Sequence, residues 1–64
     1  MKNIIRDLRK EKKLSQDELA KLCNVTRQTI NAIENNKYDP TLILAFKLAC
    51  LLETTVDELF EFEK

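Results

Sequence analysis

Leu14-Ser-Gln-Asp-Glu-Leu-Ala-Lys-Leu-Cys-Asn-Val-Thr-Arg-Gln-Thr-Ile-Asn-Ala-Ile-Glu-Asn-Asn-Lys37 reads as two short amphipathic helices separated by a tight turn. Ser15 precedes Gln16-Asp17-Glu18, so a serine N-cap with a glutamate three residues on makes a capping box, and two acids occupy the first turn. The helix that starts there carries Leu19 and Cys23 four apart on one face. It should stop at Asn24, because asparagine is, after glycine, the residue that best accepts a left-handed backbone. Ala20 leaves room for the second helix to approach closely, and Thr26 caps that helix.

On the second helix Ile30 and Ile33 lie three apart on the side that should be buried, flanked by Thr26 and Thr29. Arg27, Gln28, Asn31 and Asn35 share the opposite side at spacings of three and four, which stack side chains in one stripe. A core has no use for such a stripe. Arginine can bond guanine O6 and N7 in a bidentate fork, and glutamine or asparagine can do the same with adenine N6 and N7, so these residue types match the major-groove code. The alternative is a solvated polar face, which the cap, turn and stripe in sequence argue against.

These residues resemble the phage repressor and Cro-like family of helix-turn-helix regulators, the xenobiotic-response-element type. The resemblance runs through Leu14-Ser15-Gln16, Glu18-Leu19-Ala20, Val25-Thr26-Arg27-Gln28-Thr29-Ile30, Ile33-Glu34-Asn35 and Lys37-Tyr38-Asp39-Pro40-Thr41. Within the family the chain is most similar to small stand-alone dimeric repressors without a sensor domain, typified by the cytolysin repressor. The resemblance implies that Arg27 and Gln28 reach base edges, with Asn31 a third base reader one turn later. It implies that Gln16 bonds a phosphate and braces Gln28, and that Thr26, Asn35 and Lys37 lie along the sugar-phosphate backbone. Asn24, Asn36 and Glu53 stand where many members have glycine. Glutamate tolerates positive φ poorly, so an altered or strained end is expected at the fourth helix.

The 64 residues suffice for one domain, 1–64, with the helix-turn-helix unit at 15–35. With no glycine, one proline and 44% hydrophobic residues at helical spacings, the expected class is all-α. Five helices are predicted at 3–12, 15–23, 26–35, 41–52 and 55–61, a compact lambda-repressor-like arrangement. Pro40-Thr41 and Thr55 mark two further helix starts. At the end of the chain Phe60-Glu61-Phe62-Glu63 alternates at period two. A short antiparallel pair with Lys2-Asn3-Ile4 and a frayed terminus are the two alternatives there.

Net charge is zero, yet its distribution is uneven. Residues 1–37 carry nine basic and five acidic side chains, an excess of four positive charges, and residues 38–64 carry two basic and six acidic, an excess of four negative. That polarity suits one face turned to phosphates, and it predicts salt-dependent affinity. For the Arg9-Lys10-Glu11-Lys12-Lys13 run, phosphate contact and a solvated helix end are equal alternatives.

The fourth helix is apolar on more than one side. Leu44, Ala45, Leu48, Leu51 and Leu52 cover an arc facing the core, whereas Ile43, Phe46 and Cys50 point the other way around Lys47. With Phe60 and Phe62 they would form an apolar patch that a twofold partner could cover, so a homodimer is expected; a monomer with scattered surface hydrophobes is the alternative.

Histidine is absent, as is any glycine-rich phosphate loop, and the acids occupy caps and surface positions. Catalysis, a cofactor, a metal site and a small-molecule ligand are therefore not expected. Cys23 should be a core residue and Cys50 more exposed. No run is long enough to span a membrane and no signal-peptide pattern occurs, which gives an expectation of a cytoplasmic chain. Two functions remain open. One is a sequence-specific regulator of double-stranded DNA, by resemblance a repressor, whose dimer reads an inverted-repeat operator. The other is an antitoxin or adaptor that uses the same scaffold to grip a protein.

Overall fold

A computed structural model describes residues 1–61. The elements, in chain order, are β1 (Lys2–Asn3), α1 (Ile5–Glu11), α2 (Gln16–Cys23), α3 (Arg27–Glu34), α4 (Leu42–Leu51), α5 (Val56–Leu59) and β2 (Phe60–Glu61). The all-α expectation holds, and the terminal pair forms as well: β1 and β2 run antiparallel, with Lys2 opposite Glu61 and Asn3 opposite Phe60.

Caps decide where the helices begin. The Ser15 hydroxyl accepts the Glu18 N–H at 3.0 Å while the Glu18 carboxylate accepts the Ser15 N–H at 2.9 Å, closing the capping box that the sequence predicts. The Ser15 N–H, helped by the Ser15 side chain, holds the Glu18 carboxyl below its ordinary pKa, because donors to a carboxylate favour its charged form. Thr26, Thr41 and Thr55 each accept a backbone N–H from three residues on.

The ends of α1 to α4 share one device. Lys13, Asn24, Asn36 and Glu53 all take positive φ, between 57° and 61°. After each of them the next N–H bonds a carbonyl five residues back: Leu14 to Arg9, Val25 to Ala20, Lys37 to Ala32 and Thr54 to Ala49. This is the Schellman closure usually built on glycine, made here four times without one. Lys13 carries no sequence signal for it. Glu53, where the sequence suggests altered geometry, closes α4 in the same way as the others, and its carboxylate takes the Lys12 ammonium at 2.8 Å. That pair pulls the Glu53 carboxyl below the usual range.

The core collects Ile5 from α1, Leu19 and Cys23 from α2, Ile30 and Ile33 from α3, Leu44, Leu48 and Leu52 from around α4, and Leu59. Two termini depart from the predicted helices. The first helix begins at Ile5 rather than residue 3, because Asn3 lies in β1 and its side chain turns back to accept the Ile5 N–H at 3.2 Å. The last helix ends at Leu59 rather than residue 61, because Phe60 adopts extended backbone and enters the sheet. Strand alternation then drives Phe60 inward, where it is 7% exposed, and leaves Glu61 in water. Phe60 therefore belongs to the core and is not part of an exposed apolar patch. Phe62, expected in that patch, lies outside the described residues. Among the described residues no helix is long and apolar enough to cross a membrane.

Candidate nucleic-acid interface

Thr26 sets the start of α3, its hydroxyl accepting the Thr29 N–H at 3.2 Å and sharing a hydrogen bond with the Thr29 hydroxyl at 3.0 Å. From that start the helical period fixes the two sides. Ile30 and Ile33 disappear into the core, and Arg27, Gln28, Asn31 and Asn35 are exposed. Arg27, Gln28 and Asn31 line one shallow depression on the surface. Among the described residues neither Arg27 nor Gln28 has a side-chain hydrogen bond or ion pair, and the same is true of Lys37 just past the helix.

Further along α3 the polar side chains are not free. The Asn35 amide donates to the Asn31 backbone oxygen at 2.9 Å and to its side-chain oxygen at 3.3 Å, and the Asn35 oxygen accepts from Arg6 at 3.1 Å. Asn31 donates to the Gln16 side-chain oxygen at 3.4 Å. Gln16 in turn donates to Glu34 at 3.1 Å. The brace made by Gln16 thus runs to Asn31 and Glu34, where the resemblance had implied Gln28. The reason is that Gln16, on the first turn of α2, is held by the buried Glu34 carboxylate.

Glu34 is the residue that sequence reasoning missed. Its side chain is fully buried, yet it is charged and fully satisfied: Arg9 donates through Nε at 2.8 Å and Nη2 at 3.3 Å, Arg6 through Nε at 3.3 Å, and Gln16 completes the set. Burial pushes the Glu34 carboxyl up, but the hydrogen bonds from Arg9 and Gln16, the Arg9 charge and the Arg6 bond together outweigh it and hold the group below its ordinary value. Arg9 also donates to the Leu14 carbonyl at 2.8 Å. Neither alternative for the Arg9 run applies to Arg9 itself, since its side chain lies inside. One signal could have found the pair: Glu34 follows Ile30 by four and Arg9 follows Ile5 by four, so opposite charges occupy core-facing positions on two helices. The cluster ties α1, α2 and α3 together and sets the pose of the exposed stripe.

A second surface lies on α4. Ile43 is 72% exposed and Phe46 56%, and with Cys50, Leu51 and Lys47 they line an open groove that also takes in Leu22 of α2, 57% exposed. Leu22 went unnoticed in the sequence because it looks like part of the α2 core stripe. Of the two thiols, Cys23 is buried, which pushes its pKa up, and Cys50 is exposed. Among the described residues no cluster of potential ligands could hold a metal ion.

Known proteins share this arrangement. The sequence model of the helix-turn-helix family matches residues 5–59. An uncharacterized HTH-type transcriptional regulator of Methanocaldococcus jannaschii is 46% identical over 63 residues, spanning 98% of this chain and 96% of that one. The crystal structure of the restriction-modification controller protein C.AhdI of Aeromonas hydrophila is similar with a TM-score of 0.78 and 36% identity, over 88% of this chain and 85% of that one. The N-terminal DNA binding domain of SinR from Bacillus subtilis gives 0.76 and 31%, over 94% and 90%. With its capped α2 and α3, the turn at Asn24 and the polar stripe beyond it, the chain belongs to the helix-turn-helix family of DNA-binding transcription regulators, of the xenobiotic-response-element type.

Proposed function

We infer that this regulator is a repressor that binds an inverted-repeat operator as a homodimer, each subunit laying α3 in a major groove. The observation that carries this reading is the pair Arg27 and Gln28, exposed at the start of α3 and without a partner among the described residues. Long polar side chains that have no intramolecular role and stand beside a rigid, satisfied network are what base-edge recognition requires. Arg27, Gln28 and Asn31 read bases; Gln16, Thr26, Asn35 and Lys37 meet the backbone, where N–H groups and a cation suit phosphate oxygens. A C.AhdI-like controller and a SinR-like DNA binding domain share the scaffold, which supports the same assignment.

The α4 groove supplies the twofold contact. Ile43, Phe46 and Cys50, joined by Leu22, form an exposed apolar surface that a second copy would remove from water, at about 25 cal/mol per Å² before the costs of association. Two recognition helices would then meet half-sites about 10 bp apart. Selection from a random pool of duplexes, with sedimentation of the complex, tests both parts. Recovery of a palindromic consensus bound by two subunits is the expected result. Failure to retain any duplex at low salt would leave the adaptor reading in its place.

A further inference from the structure

The polar side chains around α3 form a closed circuit. Arg6 donates to Asn35 at 3.1 Å, Asn35 to the Asn31 side chain at 3.3 Å, Asn31 to Gln16 at 3.4 Å and Gln16 to Glu34 at 3.1 Å; Arg6 also donates to Glu34, at 3.3 Å. Both ends of this relay are of one kind only. An ionised carboxylate accepts and never donates, and a guanidinium donates and never accepts. Glu34 therefore forces Gln16 to turn its nitrogen inward and its oxygen toward Asn31. Arg6 and the Asn31 backbone oxygen, which takes the Asn35 nitrogen at 2.9 Å, together make Asn35 present its oxygen to the guanidinium and its nitrogen to Asn31. Each of the three amides is left with a single orientation, since reversing Asn31 would place oxygen against oxygen on one side and nitrogen against nitrogen on the other.

We propose that the Arg6–Asn35–Asn31–Gln16–Glu34 circuit holds the exposed Asn31 amide in one polarity so that it reads adenine on one strand, with Gln16 and Asn35 as the positioning residues on its two sides. This rests on the reading of α3 as the groove-bound helix. After the relay is satisfied, Asn31 retains one N–H and one oxygen lone pair, the complement of adenine N7 and N6. An amide free to flip could also pair with the adenine N6 and thymine O4 of the same base pair in either order. A fixed one distinguishes A·T from T·A. Each side of the relay fixes the amide by itself, because Arg9 holds Glu34 against Gln16 without Arg6 and the Asn31 backbone oxygen holds the Asn35 nitrogen.

The experiment selects bound duplexes from a random pool with the full chain, then repeats the selection with Asn31→Ala, Gln16→Ala, Asn35→Ala and the Gln16→Ala/Asn35→Ala double variant, each checked for a cooperative melting curve. Asn31→Ala should erase the A preference at one position in each half-site. The double variant should reduce the discrimination of A·T from T·A at that same position by about fivefold or more, the low end of what one bidentate base contact contributes, and leave the preferences at the others as they were. Either single variant leaves one side of the relay in place and should keep most of the discrimination. The proposal is overturned if Asn31→Ala leaves the consensus intact, or if the double variant weakens every duplex alike with the preference unchanged, which is the behaviour of plain phosphate contacts. A wild-type chain that selects no consensus would instead bring down the reading of α3 itself.

Discussion

Helices α3 and α4 each bury one side in the same core, and what they leave in water is opposite. The outer side of α3 is polar throughout, from Arg27 to Asn35, whereas that of α4 shows Leu42, Ile43 and Phe46. A polar face is stable in water without a partner, so exposure alone says nothing about α3. Its meaning comes from the division along its length, with Arg27 and Gln28 free of partners among the described residues and Asn31 and Asn35 knitted to α1 and α2. The α4 face is different, because contiguous apolar surface in a small domain is unfavourable until something covers it. α3 suits a charged polymer, and α4 suits the second copy proposed above.

The sharpest way to break that contrast is to remove what seats α3. Glu34→Ala would strand the buried Arg9 guanidinium, at a cost of about 3–5 kcal/mol, read as a shift in the urea midpoint. The same group makes stability depend on pH. Its folded pKa lies below the unfolded value, so its contribution is complete above the ordinary glutamate range near pH 4.3 and is lost as pH falls through the folded value. The wild type should lose stability in that acidic window more steeply than Glu34→Gln, as followed by thermal melts.

Next in size is the α4 face. Phe46→Lys should weaken dimerisation by about 2 kcal/mol or more, seen by sedimentation, with little change in the melting of the monomer because Phe46 is 56% exposed and lies outside the core cluster. Arg27→Ala should weaken binding to the selected operator by about 1–3 kcal/mol while leaving the melt in place; a variant that simply unfolds would argue that Arg27 is structural. Lys37→Ala should act more gently and on all duplexes alike, lowering the slope of log affinity against log salt by about 0.9. The smallest effects belong to the helix ends. Glu53→Gly after α4 should raise the melting temperature more than Asn36→Gly after α3, since glutamate is the poorer left-handed residue, although loss of the Lys12 contact offsets part of the gain.

Much of this was legible in the chain. Ser15, Thr26, Thr41 and Thr55 announce four helix starts because a cap is a local bond between a side chain and an N–H three residues away. Ile30, Ile33 and the outward Arg27 and Gln28 follow from helical period alone. The αL conformation of Lys13 was hidden, because nothing in lysine favours it; the closure is imposed by the Leu14 N–H reaching the Arg9 carbonyl. Phe60 was hidden for a related reason. Its partner strand lies at the other end of the chain, and only that pairing turns it inward.

The order of elements, the capping and the division of α3 into a buried and an exposed side were thus set by contacts within a few residues, which a sequence displays directly. The Arg9–Glu34 pair spans 25 residues and the Arg6–Asn35 bond 29, and both arise only when α1, α2 and α3 have packed. Whether a polar side chain is free to meet DNA or already satisfied is therefore a tertiary fact, because hydrogen-bond partners are chosen by proximity in space and burial decides what it costs to leave one unmade.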